Sequence, residues 1–193
     1  MGEHQLTRAA VFLDRDGVLN RPVIRDGLPF PPATLEEFEV YADAAEGCAE
    51  LKQAGFFLVV VTNQPDVGRE TQSRELVEAM HGKLRDAVPS LDAIEICYHA
   101  GASHGQPCDC RKPKPGMLLR AAANHAIDLG PSFFIGDRWR DVNCAHAAGC
   151  RSVFIDLGYN EPLSQRPEFT VATFREAVAV ILRNQLSQST RRE

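Results

Sequence analysis

The segment CYHAGASHGQPCDCRKPKPG, residues 97 to 116, gathers three of the six cysteines and two of the six histidines, then runs into two Lys-Pro pairs. Thiolates and imidazoles so clustered suit a soft metal ion, and one activated thiol would suit nucleophilic catalysis. A second set of chemistry-bearing residues is acidic. VFLDRDGVLN places Asp14 and Asp16 two residues apart at the end of an apolar run. If the backbone stays extended there, both carboxylates face one side, and Gly17 permits a sharp turn. FFIGDRWRD puts Asp137 on a comparable tip, with Asp141 one helical turn later. VVTNQ adds Thr62 and Asn63, a hydroxyl and backbone N–H groups suited to a phosphate oxygen. Each feature alone is an ordinary turn or cap. Together they need a fold that brings them to one edge.

Short apolar runs alternate with amphipathic stretches, and that alternation predicts such a fold. Ala10 to Leu13, Phe56 to Val61, Ile94 to Tyr98, Phe133 to Ile135 and Ser152 to Ile155 read as strands, each too short for a helix. Asp43 and Glu46 open a helix that Gly55 stops, and a second spans Thr71 to Val88. Pro115 opens a third, ended by Gly130; a short fourth follows Asp141 and ends at Gly149. The capping box of Thr173 and Glu176 opens a fifth, in which Phe174, Ala177, Val178, Ile181 and Leu182 form an apolar stripe. The polar residues from about 184 to 193 are expected to fray. The pattern predicts an α/β fold, a doubly wound parallel sheet covered on both faces, in one domain over residues 1–193. In such sheets ligands sit at the carboxyl ends of the strands, where Asp14, Thr62 and Asp137 fall.

Bulk properties limit the partners. The 193 residues are 44% hydrophobic and carry a net charge of −5, with a pI near 5.7. That length suits one ordinary core, and the acidity argues against gripping nucleic acid or an anionic membrane. No apolar leader or membrane-spanning run is visible, so a cytoplasmic protein, a monomer acting on small molecules, is expected. In a reducing compartment clustered cysteines point to metal or catalysis rather than disulfides. Cys48, Cys144 and Cys150 lie apart from the cluster and read as small buried hydrophobes.

LDRDGVLN, VVTNQ, CDCRKPKPGM and IGDRWRDV resemble motifs I to IV of the haloacid dehalogenase superfamily of phosphohydrolases. They occur in the same order at compatible spacings over about residues 9 to 157. The C-x-H…C-x-C loop before the lysine resembles the branch of heptose-bisphosphate and histidinol-phosphate phosphatases. That resemblance implies Zn²⁺ held by Cys97, His99, Cys108 and Cys110 in a loop over 97–110, with His104 an alternative to His99. Soft thiolates and an imidazole do suit a closed zinc site, and a Cys108–Cys110 disulfide would close a tiny, strained loop.

The resemblance also implies a mechanism. Asp14 is the nucleophile and forms an aspartyl-phosphate; Asp16 is the general acid and then base. Asp14, Asp137 and the Asp16 carbonyl hold Mg²⁺, with Asp141 behind them. Thr62, Asn63 and Lys112 hold the phosphoryl group, with Lys114 a competitor for Lys112. Arg111 and Arg138 contact the distal phosphate of a sugar bisphosphate, most naturally a heptose 1,7-bisphosphate dephosphorylated at position 7. Histidinol phosphate or another small phosphomonoester is the alternative substrate. A zinc-loop interaction module with a vestigial site is the alternative of another class, disfavoured by the intact Asp14, Asp16, Thr62, Lys112 and Asp137. Neither gap that holds a cap domain in larger relatives is long enough for one here, so the protein is expected to be capless. Pro65-Asp66 and the Pro-rich loop from Arg21 to Phe38 depart from the branch pattern and read as specificity elements.

Overall fold

In the computed structural model, which describes residues 7–189, strand β1 (Arg8–Leu13) runs through the middle of a six-stranded sheet. Its period of two divides the core. Val11 and Leu13 join one buried cluster, while Ala10 and Phe12 join another on the opposite face. Helices α1 (Ala44–Gln53), α3 (Arg74–Ala87) and α6 (Phe174–Ser189) cover the first face, and α4 (Gly116–His125) and α5 (Trp139–Ala148) the second.

The other strands are β4 (Phe57–Asn63), β5 (Ala93–Cys97), β6 (Ile127–Gly136), β7 (Arg151–Ile155) and β8 (Phe169–Val171). All pair in parallel, in the order β5-β4-β1-β6-β7-β8. The chain moves outward from β1 through β4 to β5 and then crosses to β6 on the other side of β1. The order therefore reverses beside the carboxyl end of β1, which opens a crevice there. Leu13 pairs with Val60 and with Ile135, so the next residues of β1, β4 and β6 emerge at one level.

Several boundaries differ from the sequence expectation. Helix α4 ends at His125, not Gly130, because Ala126 takes a left-handed conformation (φ 53°) and β6 begins at Ile127. Partway along β6 the register jumps: Ala9 pairs with Asp128, but Val11 with Phe133. Ser132 Oγ fills the gap by accepting from Ala10 N at 2.9 Å and donating to the Asp128 carbonyl. Helix α5 starts two residues before Asp141, whose carboxylate instead accepts the Arg138 N–H at 3.0 Å from the third helical position. Ser73, rather than Thr71, caps the start of α3. The sequence reading missed β8, a short helix α2 (Pro65–Gly68) and a hairpin of β2 (Val23–Arg25) and β3 (Leu28–Phe30). Asp26 and Gly27, both at positive φ, make the two-residue turn of that hairpin.

The hairpin is the whole insertion between β1 and α1 apart from loops, so no cap domain lies there. Helix α6 continues through Ser189 although frayed ends were expected from about 184. Asn184 accepts from Arg151 Nη2 at 3.0 Å and Gln185 donates to the Ala54 carbonyl at 2.7 Å, which ties this part of the helix down; residues 190–193 lie outside the described residues. Among the described residues no helix is long and apolar enough to cross a membrane.

Candidate active site

Asp14 continues the extended course of β1, its N–H bonded to the Ile135 carbonyl at 2.9 Å, and its carboxylate stands at the sheet edge. Two glycines admit the acids that face it. A Cβ on Gly17, at φ 89°, would lie 1.9 Å from Asp137 Oδ2, and one on Gly136 would lie 2.2 Å from Asp141 Cβ. Without side chains at these two points, Asp137 and Asp141 close in on Asp14. The three carboxylates are buried and can direct oxygens to one position.

Lys112 meets them from the far loop. Its Nζ lies 2.7 Å from Asp14 Oδ1, 2.9 Å from Asp141 Oδ1 and 2.9 Å from the Val61 carbonyl. Asn63 delivers it: Oδ1 accepts the Lys112 N–H at 3.1 Å and Nδ2 donates to the Lys112 carbonyl at 3.2 Å. Lys114 is exposed and pairs instead with Asp109 at 3.0 Å and the Cys108 carbonyl at 2.8 Å. Of the two lysines the sequence left in competition, Lys112 stands in the acidic cluster.

Asp16 faces the same cleft but has different partners. Arg15, Asn20 and Gln64 all donate to it, the last two at 3.0 and 3.1 Å. Gln64 Nε2 also donates to Thr62 Oγ1 at 2.8 Å, which joins the end of β4 to the Asp16 side chain. Arg15, Asn20 and Gln64 were missed by the sequence reading. Their place beside the aspartate and threonine motifs was the available signal.

Electrostatics divide the acids. Burial, and to a lesser extent the neighbouring Asp141 and Asp16, push Asp14 up to about 7 against the pull of Lys112. Burial together with Asp14 and Asp141 raises Asp137 well above the carboxylate range. Burial would also raise Asp16, but the Arg15 charge and the bonds from Asn20, Arg15 and Gln64 outweigh it and hold Asp16 low. Burial alone would depress Lys112, yet Asp14 and Asp141 carry it above the usual lysine range. One cation does not neutralise three crowded acids. Asp137 Oδ1 is moreover buried without a hydrogen-bond partner. A hard divalent cation with oxygen ligands fits that deficit.

The cysteine cluster has its own geometry. Cys97 Sγ lies 3.7 Å from Cys108 Sγ, 3.2 Å from Cys110 Sγ and 3.6 Å from His99 Nδ1, with Cys110 Sγ 3.3 Å from the same nitrogen. Ligands around a tetrahedral zinc ion stand about 3.6–3.8 Å apart, given bonds of about 2.3 Å to sulfur and about 2.0–2.1 Å to nitrogen. The sulfurs are too far apart for disulfides, and all six cysteines are free. His104 lies outside the cluster and pairs with Ser103 Oγ at 3.0 Å. Cys48, Cys144 and Cys150 are buried among apolar side chains, as expected.

The cleft, about 370 Å³, continues outward to a cationic rim. Arg111 extends from the cysteine loop, with one bond to the His99 carbonyl at 3.4 Å. Arg138 is gripped by Glu161 through Nε and Nη2. Arg69 and Arg140, which the sequence reading did not single out, also line the cleft. Arg140 Nε is buried without a partner, and Arg69 pairs with Asp66 at 3.2 Å.

Residues 109–177 match the HAD-hydrolase-like family model. A D-glycero-β-D-manno-heptose-1,7-bisphosphate 7-phosphatase from Pseudomonas aeruginosa is 36% identical over 157 residues, covering 79% of this chain and 84% of that protein. The enzyme of the same name from Escherichia coli K12 is 40% identical over 147 residues, 72% of this chain and 74% of its own. The crystal structure of a D,D-heptose 1,7-bisphosphate phosphatase from B. bronchiseptica, complexed with magnesium and phosphate, is similar with a TM-score of 0.74 and 27% identity, over 91% of this chain and 99% of that one.

Proposed function

The chain belongs to the haloacid dehalogenase superfamily of phosphatases, and from that premise we propose that it removes the 7-phosphate of D-glycero-D-manno-heptose 1,7-bisphosphate. The observation that carries this reading is the meeting of Asp14, Asp137, Asp141 and Lys112 at one point beside Asp16, beneath a rim of arginines. A phosphoryl group needs cationic and hydroxyl contacts at its oxygens, and a second phosphate needs further charge at a distance.

In this reading an Asp14 carboxylate oxygen attacks phosphorus and the bond from phosphorus to the sugar oxygen breaks. Asp16, which Arg15, Asn20 and Gln64 hold ionised in the free protein, takes up a proton as the anionic phosphate arrives beside it and gives that proton to the departing oxygen. It then takes a proton from the water that attacks the aspartyl-phosphate, which releases phosphate and restores Asp14. Lys112 and Thr62 hold the phosphoryl oxygens, and Asn63 serves by fixing the Lys112 backbone. Asp14, Asp137 and the Asp16 carbonyl would hold Mg²⁺, which when bound offsets the repulsion between carboxylate and phosphate. Asp141 orients Lys112.

Zn²⁺ is assigned to Cys97, His99, Cys108 and Cys110, where it would close the loop that carries Arg111 and Lys112 toward the cleft. The unpaired thiols support a reducing, cytoplasmic setting. Arg111 and Arg138 are the proposed contacts of the distal phosphate, Arg138 by exchanging Glu161 for it, with Arg140 beside them. The test is phosphate release with Mg²⁺ from heptose 1,7-bisphosphate, histidinol phosphate and an aryl phosphate in parallel. The reading expects the highest kcat/KM for the heptose and the 1-phosphate as product. Preference for histidinol phosphate would overturn the substrate, and release from none of them the activity.

A further inference from the structure

Arg15 sits between the two catalytic aspartates in sequence, yet its side chain turns away from the cleft into the core. It is the largest fully buried side chain described. Its Nε and Nη2 donate to Asp16 Oδ2 at 3.2 and 3.0 Å, and Nη2 also lies 3.0 Å from Oδ1. Nη1 meets His81 Nε2 on α3 at 3.2 Å, and the guanidinium carbon stands 5.4 Å from the centre of the Phe38 ring. A buried guanidinium is costly unless its donors are matched. Here the carboxylate that matches it is the one assigned to proton transfer.

For Nη1–H to donate, His81 Nε2 must be unprotonated, which leaves the ring proton on Nδ1, 3.7 Å from Glu78 Oε2. Helix α3 thus forms a rigid backing: His81 locks the plane of the guanidinium, and the guanidinium locks the plane of Asp16. Asn20 and Gln64 complete the grip, one on each oxygen. These donors favour the ionised carboxylate, so Asp16 carries a proton only once the phosphate's negative charge stands beside it. It must then pass that proton along one direction within hydrogen-bond reach of the leaving oxygen, and a carboxylate free to swing loses efficiency. Lysine, a point charge, could neutralise Asp16 without grasping it in this way.

We propose that Arg15, backed by His81, is the positioning residue of the acid–base Asp16, holding its carboxylate plane toward the leaving-group oxygen. The inference rests on the assignment of Asp16 made above. Its signature is dependence on the leaving group. A sugar alkoxide needs a proton as it departs, whereas an aryl oxide departs with little help.

The experiment measures kcat and KM with Mg²⁺ for heptose 1,7-bisphosphate and p-nitrophenyl phosphate in wild type, Arg15→Lys, His81→Leu, His81→Gln and Asp16→Asn. Arg15→Lys is expected to lower kcat on the sugar phosphate roughly ten- to a hundredfold, part of the ~10²–10⁴ that a general acid contributes. The loss on the aryl phosphate is severalfold smaller, and KM changes little. His81→Leu shows the same pattern more weakly, and His81→Gln, which again offers Nη1 an acceptor, restores the sugar phosphate rate. Proportional losses on both substrates, or none on either, would overturn the proposal; if Arg15→Lys does not fold, the His81 pair decides by itself. Asp16→Asn separates the two levels of inference. Should it fail to discriminate between the substrates, the Asp16 assignment falls and Arg15 with it. Should it discriminate while the Arg15 and His81 variants do not, the positioning role alone falls.

Discussion

Glu161 holds Arg138 through both carboxylate oxygens, taking Nε and Nη2, while Nη1 reaches the Pro29 carbonyl at 3.4 Å. This pair ties three separate segments into one wall of the cleft: the β2–β3 hairpin, the start of α5 and the loop between β7 and β8. A protein with no cap domain has to build its substrate walls from such contacts. The cost is that Arg138 has its donors engaged, and in the proposed reading a distal phosphate would have to displace Glu161 to reach it. Arg140 meets the same Glu161 through Nη2 at 3.6 Å but leaves Nε without a partner, and Arg111 makes a single hydrogen bond, to the His99 carbonyl.

Arg111→Ala should therefore reduce kcat/KM for heptose 1,7-bisphosphate ten- to a hundredfold, as expected for one charged hydrogen bond of about 1.5–3 kcal/mol. Hydrolysis of p-nitrophenyl phosphate, which has no second phosphate, should change less than about threefold. Glu161→Gln should act oppositely on the bisphosphate, because it removes a negative charge from the rim and loosens Arg138. A severalfold lower KM for the bisphosphate, with a somewhat lower Tm, is the expected result. An unchanged KM would mark the pair as a strut only.

The two lysines of RKPKP give a cleaner contrast. Lys112→Ala removes the cation between Asp14 and Asp141, so activity should vanish, and Tm should fall because breaking a buried ion pair costs about 3–5 kcal/mol. Lys114→Ala loses an exposed pair with Asp109, worth about 0–1 kcal/mol, and should keep most of its activity. Asp14→Asn should be folded and inactive. Steady-state assays on preparations free of wild-type enzyme decide all three; substantial turnover by Asp14→Asn would exclude it as nucleophile.

How much of this was legible before the fold was known follows from the range of each interaction. The run before Asp14 and the D-x-D-G spacing are local, so strand, turn and paired acids could be read directly. The hairpin was hidden by the prolines around it, although Asp26-Gly27 is a turn signal in its own right. Lys112 could not be separated from Lys114 by sequence, because the choice is made by the Asn63 amide, 49 residues away. Glu161 lies 23 residues beyond Arg138, and His81 lies 66 beyond Arg15. No local pattern announces either contact. Periodicity identifies which residues are buried, but not which buried polar groups find one another.

Zinc should be present at about one per chain in freshly purified, unchelated protein, since four ligands close the site. Cys108→Ser should lower zinc content and Tm together, because loop order depends on ligation. It should also weaken catalysis, as Arg111 and Lys112 directly follow Cys110. Metal analysis finding no zinc would overturn the assignment.

The last prediction concerns acid stability and turns on His81. Burial, reinforced by the Arg15 charge, lowers its pKa from 6.5 to about 4, with Glu78 and Asp16 pulling the other way and Arg85 adding to the depression. The folded protein thus refuses a proton that the unfolded chain accepts. Between about pH 6.5 and 4 the unfolded state binds more protons, so stability falls as pH drops through that window and is unaffected by this group above it. The loss should reach on the order of 3 kcal/mol by pH 4. His81→Gln, which cannot titrate, should abolish this contribution. Asp14, pushed up to about 7 by burial, titrates in both proteins and largely cancels in the difference. Denaturant unfolding from pH 7.5 to 4 should therefore show a constant difference between the two proteins above pH 6.5 and a steady shift of that difference in favour of the variant below it. A difference independent of pH would mean that His81 takes up its proton equally in the folded and unfolded states, so that neither burial nor the Arg15 charge opposes it, which would count against the close Arg15–His81 contact.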